Sequence, residues 1–384
     1  MKLIKSIFAI VTLACILLFA SCANNQTDDT HGGNNESAHD HTLVEYSARD
    51  PECASNGYLH HFKCDECGKA FSDSEAKNDI SGREIIYAEG HKVVDNKCEV
   101  CGLKAESNLY YRGYKNSAGE FLYSVVSGIG KCTASDIILP TYVSSGGEKI
   151  PFERIDAGAF KDVKGVRSIY IPSTVKAINQ NAFRGCADLE AVFFEDASLC
   201  EAFSSSVFQD CKKLEIVSFG NNSNLKHLGN SVFKGCVRLS FVDFGMQSKL
   251  EGISEYCFDS CHTLGSVSIP VGVKTVSSKA FSDCFRIRTL YFSDALTEIG
   301  DLAFEGCEAL EAINLGHGVI KIGNYAFSGC ASLSSVTIPA ATKNIGSYAF
   351  EKCSDLTITL AKGVSTQNFN PYWNYYNNPV VNKE

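Results

Sequence analysis

Beyond its first hundred residues the chain has only three histidines, His227, His262 and His317, set at unrelated places in the sequence pattern. No HExxH motif, phosphate-binding glycine loop or nucleophile motif accompanies them, which leaves hydrolysis and phosphoryl transfer without machinery. Basic residues are also too few for a nucleic-acid partner: 35 Lys and Arg stand against 44 Asp and Glu, a net charge of -9. Phosphate binding needs clustered positive charge, so that class is set aside. Long hydrophobic runs are missing as well. The longest, residues 7–20, is 14 residues, short of the ~20 that span a bilayer as a helix. Tryptophan occurs once, at Trp373. Against these shortages stand 45% hydrophobic residues, enough for a sizeable core, and a large excess of one residue, cysteine, with 18 copies in 384 positions.

The N-terminus, MKLIKSIFAIVTLACILLFASC, sets Lys2 and Lys5 before its apolar run and small residues before Cys22, the pattern of an export signal. LLFASC resembles a bacterial lipobox, which implies that residues 1–22 are a lipoprotein signal and that Cys22 becomes the lipid-modified first residue. The protein would then be tethered by acyl chains instead of spanning the membrane. Ordinary secretory cleavage near Ser21 is the alternative. Residues 23–40 hold only two apolar side chains, both Ala. Such a stretch cannot repay its ordering entropy and reads as a flexible tether.

Residues 41–104 carry two CxxCG units, CDECGK from Cys64 and CEVCGL from Cys98. Two thiolates two residues apart chelate an ion from a tight turn, and the following Gly frees the backbone for it. The pair resembles a zinc ribbon, with Cys64, Cys67, Cys98 and Cys101 as the ligands of one structural zinc. His41, Cys53 and His91 allow a second grouping, in which each knuckle is completed separately, and disulfide pairing is a third reading in an oxidising compartment. In every case the role is structural, because a closed site has no open coordination position.

Residues 105–384 are periodic. Phe160, Phe183, Phe208, Phe233, Phe258, Phe281, Phe304, Phe327 and Phe350 recur at 23 or 25 residues, within the period of leucine-rich repeats. Three residues after the Phe stands Cys (186, 211, 236, 261, 284, 307, 330, 353), replaced in the first unit by Val163. Three further stands Leu or Ile, or Val166 in the first unit, and then apolar and polar residues alternate, as a strand with one buried face requires. The Phe segment reads as a short helical turn, and Pro172, Pro270 and Pro339 end strands. Cysteine spaced three from a buried Phe and three from a buried Leu points into the core, a ladder of small apolar residues for which Val163 shows volume to be sufficient.

The recurring AF pair, the Cys offset and the IP strand end, together in AFSGCASLSSVTIP, resemble the BspA-like bacterial surface leucine-rich repeats. That resemblance implies an α/β repeat solenoid with parallel strands on its concave face, exposed on the cell envelope, some members being adhesins. The expected layout is a cap at 105–153, nine repeats at 154–365 and an aromatic cap at 366–384. In the first cap Ile138 and Pro140 stand where later units have IP. Phe369, Tyr372, Trp373, Tyr375 and Tyr376 either plug the last coil or form a binding patch.

Function then falls to the strand residues that face away from the core. Tyr170, Phe193, Ile216, Phe241 and Tyr291 are more apolar than a solvated sheet requires, and aromatic residues anchor interfaces. Nine strands about 4.8 Å apart give a face roughly 40 Å long, suited to a protein or polysaccharide partner. The plainer reading is that aromatics are good strand formers. A second functional hypothesis makes the protein a zinc-handling envelope component in which the array is a spacer.

Overall fold

The computed structural model describes residues 132–145 and 148–383 and, before them, the segments 43–46, 57–58, 61–64, 70–71, 85–86, 93–94, 96–99, 103–105, 109–115, 117–119 and 121–125. Cys22, His41, Cys53, Cys67, His91 and Cys101 lie outside the described residues, and of Cys64 only the backbone is described, at the end of the strand His61–Cys64.

Two parallel sheets run along the array, one strand of each per repeat. The long-strand sheet begins at Asp136–Ile138 and continues through Ser168–Ile171, Ala191–Phe194, Ile216–Ser218, Phe241–Asp243 and Ser266–Val267. A second parallel stack takes over at Thr289–Tyr291 and ends with Val380–Asn382 on Thr357–Leu360. Equivalent residues face each other from coil to coil, as in Ile169, Val192, Val217, Val242 and Val267. The opposite sheet is built of short strands such as Ala177–Ile178, Ala202–Phe203 and Gly252–Ile253, joined across the middle by single bridges through His227. At its N-terminal edge the hairpin Tyr111–Lys115 and Phe121–Val125 pairs with Glu148–Ile155. Asp136–Ile138 also refines the strand-end expectation. Ile138 aligns with Tyr170, so Leu139 takes the place of the Ile in IP, and Ile138 faces away from the main core.

Between the sheets lies one continuous core, and the nine Phe side chains form its spine. Neighbouring rings stack with centroids 4.9–5.6 Å apart and planes within 12° of parallel. Each such buried ring contributes about 1.5–3 kcal/mol by burial. The stack ends on Trp373, which meets Phe350 edge to face at 6.3 Å and Phe369 at 5.4 Å. Phe369 and Trp373 therefore close the last coil, whereas Tyr372, Tyr375 and Tyr376 remain about half exposed.

Among the described residues there is no helix. Where the sequence spacing predicts a helical turn, the chain makes a run of tight turns instead, and the reason is regular. The residues two before and two after every core Phe are left-handed: Asn181 and Gly185 flank Phe183, Tyr256 and Ser260 flank Phe258, and Tyr348 and Lys352 flank Phe350. Each non-glycine residue in that conformation costs about 1–2 kcal/mol, and the reversal turns alternate N–H groups toward the next coil. Phe183 N–H donates to the Val207 carbonyl at 2.9 Å and Gly185 N–H to Gln209 at 2.9 Å, with the same pattern repeated along the array. Helical bonds within a coil are exchanged for a hydrogen-bonded ladder between coils.

The two extra residues of the 25-residue units lie in the return loops after the long strands, where Gly220 and Gly245 are left-handed and stacked on each other. A Cβ at Gly245 would overlap the Gly220 carbonyl oxygen. On the outside of the short strands, charge alternates coil by coil through Glu153, Lys176, Glu201, Lys226, Glu251 and Lys274, with ion pairs Lys176 to Glu153 at 2.7 Å, Lys226 to Glu201 at 3.3 Å and Lys274 to Glu251 at 3.0 Å.

Candidate interaction face

The cysteine column lies where its spacing places it. Cys186, Cys211, Cys236, Cys261, Cys284, Cys307, Cys330 and Cys353 are all buried, and none of these eight is in a disulfide. Among the described residues no three His, Cys, Asp or Glu side chains converge as a metal site would require. Volume is not the whole account, however. Every one of the eight thiols donates to the carbonyl oxygen of the core Phe in the preceding coil, at 2.9–3.3 Å. That oxygen also accepts the N–H of the Cys in its own coil, as Phe183 does from Cys186 at 3.2 Å, so both lone pairs are used. Val163 belongs to the first Phe-bearing unit, so no core Phe of the column precedes it to offer that carbonyl. Burial pushes the thiols from Cys211 onward up, those of Cys307 and Cys353 to about 12. A protonated, buried thiol is a poor nucleophile.

The outward residues of the long strands divide into two zones. Tyr291 is 66% exposed. Around it Thr289, Ala312, Asn314, Ser335 and Thr337 are exposed too, so this half of the face is open. The other half departs from expectation. Tyr170, Phe193 and Ile216 are buried, Phe193 to 1%, and Phe241 is partly so. They form a second apolar cluster with Ile138 and Ala191, and segments 96–99 and 103–105 lie against it: Cys98 is fully buried in this cluster, and Leu103 and Ala105 pack against it.

Residues 96–98 and 103–105 pair antiparallel, the two arms of a small hairpin. Cys98 N–H donates to the Leu103 carbonyl at 2.8 Å and Ala105 N–H to the Asn96 carbonyl at 2.7 Å, with Lys97 and Lys104 bridged between them. Asn96, left-handed at φ 60°, fastens the hairpin to the array. Its Oδ1 accepts from Thr141 N–H at 3.0 Å and from Thr141 Oγ1 at 2.9 Å, and its Nδ2 reaches the Tyr142 carbonyl at 3.4 Å. Burial, with Glu195 and Asp196 nearby, pushes the Tyr170 phenol up. The period-two pattern reports which side of the sheet a residue occupies and nothing about what lies on that side. Leu103, apolar directly after the knuckle glycine, was the one available sign of a contact.

A stack of parallel strands with one long-strand side chain column facing in and one facing out, 23 or 25 residues per coil, is a leucine-rich repeat solenoid. The BspA type leucine rich repeat region matches the chain in six copies over residues 148–251 and 241–357, more than half of its length. The chain belongs to that family. Among solved structures it is similar to a leucine rich cell surface protein from Faecalibacterium prausnitzii, at 19% identity over 74% of this chain and 96% of that one, with a TM-score of 0.32. A leucine rich repeat protein of T. pallidum is 18% identical over 66% of this chain and 91% of its own, with a TM-score of 0.34. The pneumococcal vaccine antigen PcpA is 16% identical over 73% of this chain and 98% of its own, with a TM-score of 0.29. No curated protein matches the chain.

Proposed function

We propose that the protein is a non-enzymatic component of the bacterial cell envelope, held at the surface by a lipid on Cys22, that binds a protein or polysaccharide through the long-strand face of its repeat array. Family membership supports the interaction role, since an array of this kind offers an extended face and no enclosed reaction site. The observation that carries the reading is Tyr291, a large aromatic left 66% exposed on a sheet where Thr289 in its own strand and Ala312, Asn314, Ser335 and Thr337 in the two following coils are small side chains that leave its ring accessible. Exposed aromatics flanked by small polar residues are typical interface anchors. In the same reading Cys64, Cys67, Cys98 and Cys101 hold one structural zinc that shapes the N-terminal module, with His41, Cys53 and His91 as the further candidate ligands.

Tyr291→Ser tests the face. Screening the full chain and this variant against surface polysaccharides and purified envelope or host proteins should find a partner whose affinity falls at least tenfold in the variant at unchanged thermal stability. A partner bound equally by both chains would move the site elsewhere. Metal content with and without chelator tests the zinc, one equivalent per chain being expected.

A further inference from the structure

We infer that the open half of the long-strand face is a site for a neutral polysaccharide, one sugar ring stacked on Tyr291 and the following ones hydrogen-bonded to a grid of hydroxyls and one amide. This rests on the reading of the long-strand face as the interaction face, and narrows its partner from protein or polysaccharide to an uncharged glycan.

The outward positions of these coils carry mostly one kind of group. Thr289, Ser335, Thr337, Thr357 and Thr359 stand on the strands Thr289–Tyr291, Ser335–Ile338 and Thr357–Leu360, exposed or half exposed. A hydroxyl both donates and accepts, and none of these five is hydrogen-bonded to a protein group among the described residues. On the return side hydroxyls are used internally instead: Thr342 Oγ1 donates to the Val319 carbonyl at 2.8 Å and Ser293 Oγ to that of Val271 at 2.6 Å.

Asn314 lies among the free hydroxyls, on Ala312–Asn314, and is held in one orientation. Its Oδ1 accepts the Gly316 N–H at 2.9 Å, while Nδ2 has no protein partner among the described residues. Asp243, at the equivalent position three coils earlier, fastens Gly245 in the same way at 2.8 Å. A carboxylate therefore serves that turn equally well. The amide supplies what a carboxylate lacks, two donors and no charge.

Charge complementarity favours a neutral ligand. None of the four strands from Thr289–Tyr291 to Thr357–Leu360 contains a charged residue. The charges beside them are paired, Arg288 with Glu311 at 3.7 Å and His317 Nδ1 with Asp294 at 2.9 Å. On a chain of net charge -9 such a face offers carboxylate or sulfate groups no attraction. A protein partner needs an apolar centre, and here the Tyr291 ring and Val381, beside Thr359 on the last strand, stand at opposite borders with polar groups between them. A pyranose fits the reverse pattern: its apolar ring face packs flat on an aromatic ring, and its rim hydroxyls donate and accept. From Tyr291 to Thr359 the grid spans roughly 14 Å, room for a short run of sugar rings.

Calorimetric titration of the full chain with neutral oligosaccharides (glucans, mannans and galactans) and with uronic-acid and sulfated counterparts is the test. At least one neutral oligosaccharide should bind at millimolar concentration or below, and no acidic one. Tyr291→Phe should stay within twofold of the parent, Tyr291→Ser should weaken binding at least tenfold, and Thr337→Val and Asn314→Asp at least threefold each, all at an unchanged thermal transition. Should Asn314→Asp disturb its turn, Thr337→Val, isosteric and exposed, decides alone. Preference for acidic sugars, or no neutral sugar bound, would overturn the inference, as would a neutral sugar bound equally by the parent and Thr337→Val. A protein lost by Tyr291→Ser, with no sugar bound, would refute the glycan and leave the interaction face standing. A sugar bound equally by the parent and Tyr291→Ser would overturn both.

Discussion

The thiol of Cys211 donates to the carbonyl oxygen of Phe183 in the coil before it, at 3.1 Å. Together with the Phe stack, that contact makes each coil the template for the next, and it separates two explanations of the cysteine column. If only volume mattered, Cys236→Val would be silent. With the donor counted, Cys236→Val leaves the Phe208 carbonyl with one partner and costs about 1 kcal/mol through the lost bond. Cys236→Ala adds a small cavity and costs about 1–2 kcal/mol. Urea denaturation of the two variants measures both, and equality of Cys236→Val with the parent would remove the donor from the account.

Alkaline pH should weaken the fold. A thiol whose folded value is raised keeps its proton in the native state where the unfolded chain has lost it. Stability is thus full below about pH 8.5 and declines as pH rises toward the folded values, which are about 12 at Cys307 and Cys353. Each buried thiol adds a slope of up to about 1.4 kcal/mol per pH unit. Denaturation between pH 8 and 10.5 should show the decline, and Cys307→Val should reduce its slope by one proton's share. In the native state at pH 8 the column should resist iodoacetamide until the array unfolds.

Trp373→Ala takes the lid off the Phe stack at Phe350. The loss is expected at about 2–3 kcal/mol, less than a fully buried aromatic truncation because Trp373 is only partly covered. Solenoids fray from uncapped ends, so hydrogen exchange should accelerate at Phe350 and Phe327 well before Phe233. Uniform acceleration along the chain would show that the last coil is not an independent end.

Phe193→Ser and Tyr291→Ser, equivalent by sequence pattern, should behave oppositely. The first places a hydroxyl in the apolar cluster beneath Leu103 and removes a buried ring, a loss of about 3 kcal/mol. The second changes an open surface and should stay within about 0.5 kcal/mol of the parent. Their melting temperatures decide between the two zones of the face.

Those two residues also mark how far the sequence could be read. The period, the Phe and Cys columns, the strand ends and the inward Val and Ile residues all follow from spacing, because each coil repeats one set of local constraints. The turns were not legible as turns. A three-residue offset from Phe to Cys to Leu imitates a helical face, and the left-handed positions that forbid a helix are filled by Tyr256, Lys279 or Leu302 as readily as by Gly158. Nor was the covering of Tyr170, Phe193 and Ile216 legible, since it depends on a hairpin far away along the chain, before the array begins, whose contact obeys no repeat. Tyr291 and the column could be placed from the array alone; the packing of Cys98 and Leu103 on its face could not.

The alternation from Glu153 to Lys274 carries a rule about inheritance. Repeat arrays grow and shrink by whole units, yet here deletion or duplication of one coil would set Glu beside Glu or Lys beside Lys, whereas a change by two restores every opposite neighbour. Within this stretch, coils are expected to be lost or gained in pairs, an even-numbered arithmetic written on the outer surface in charge.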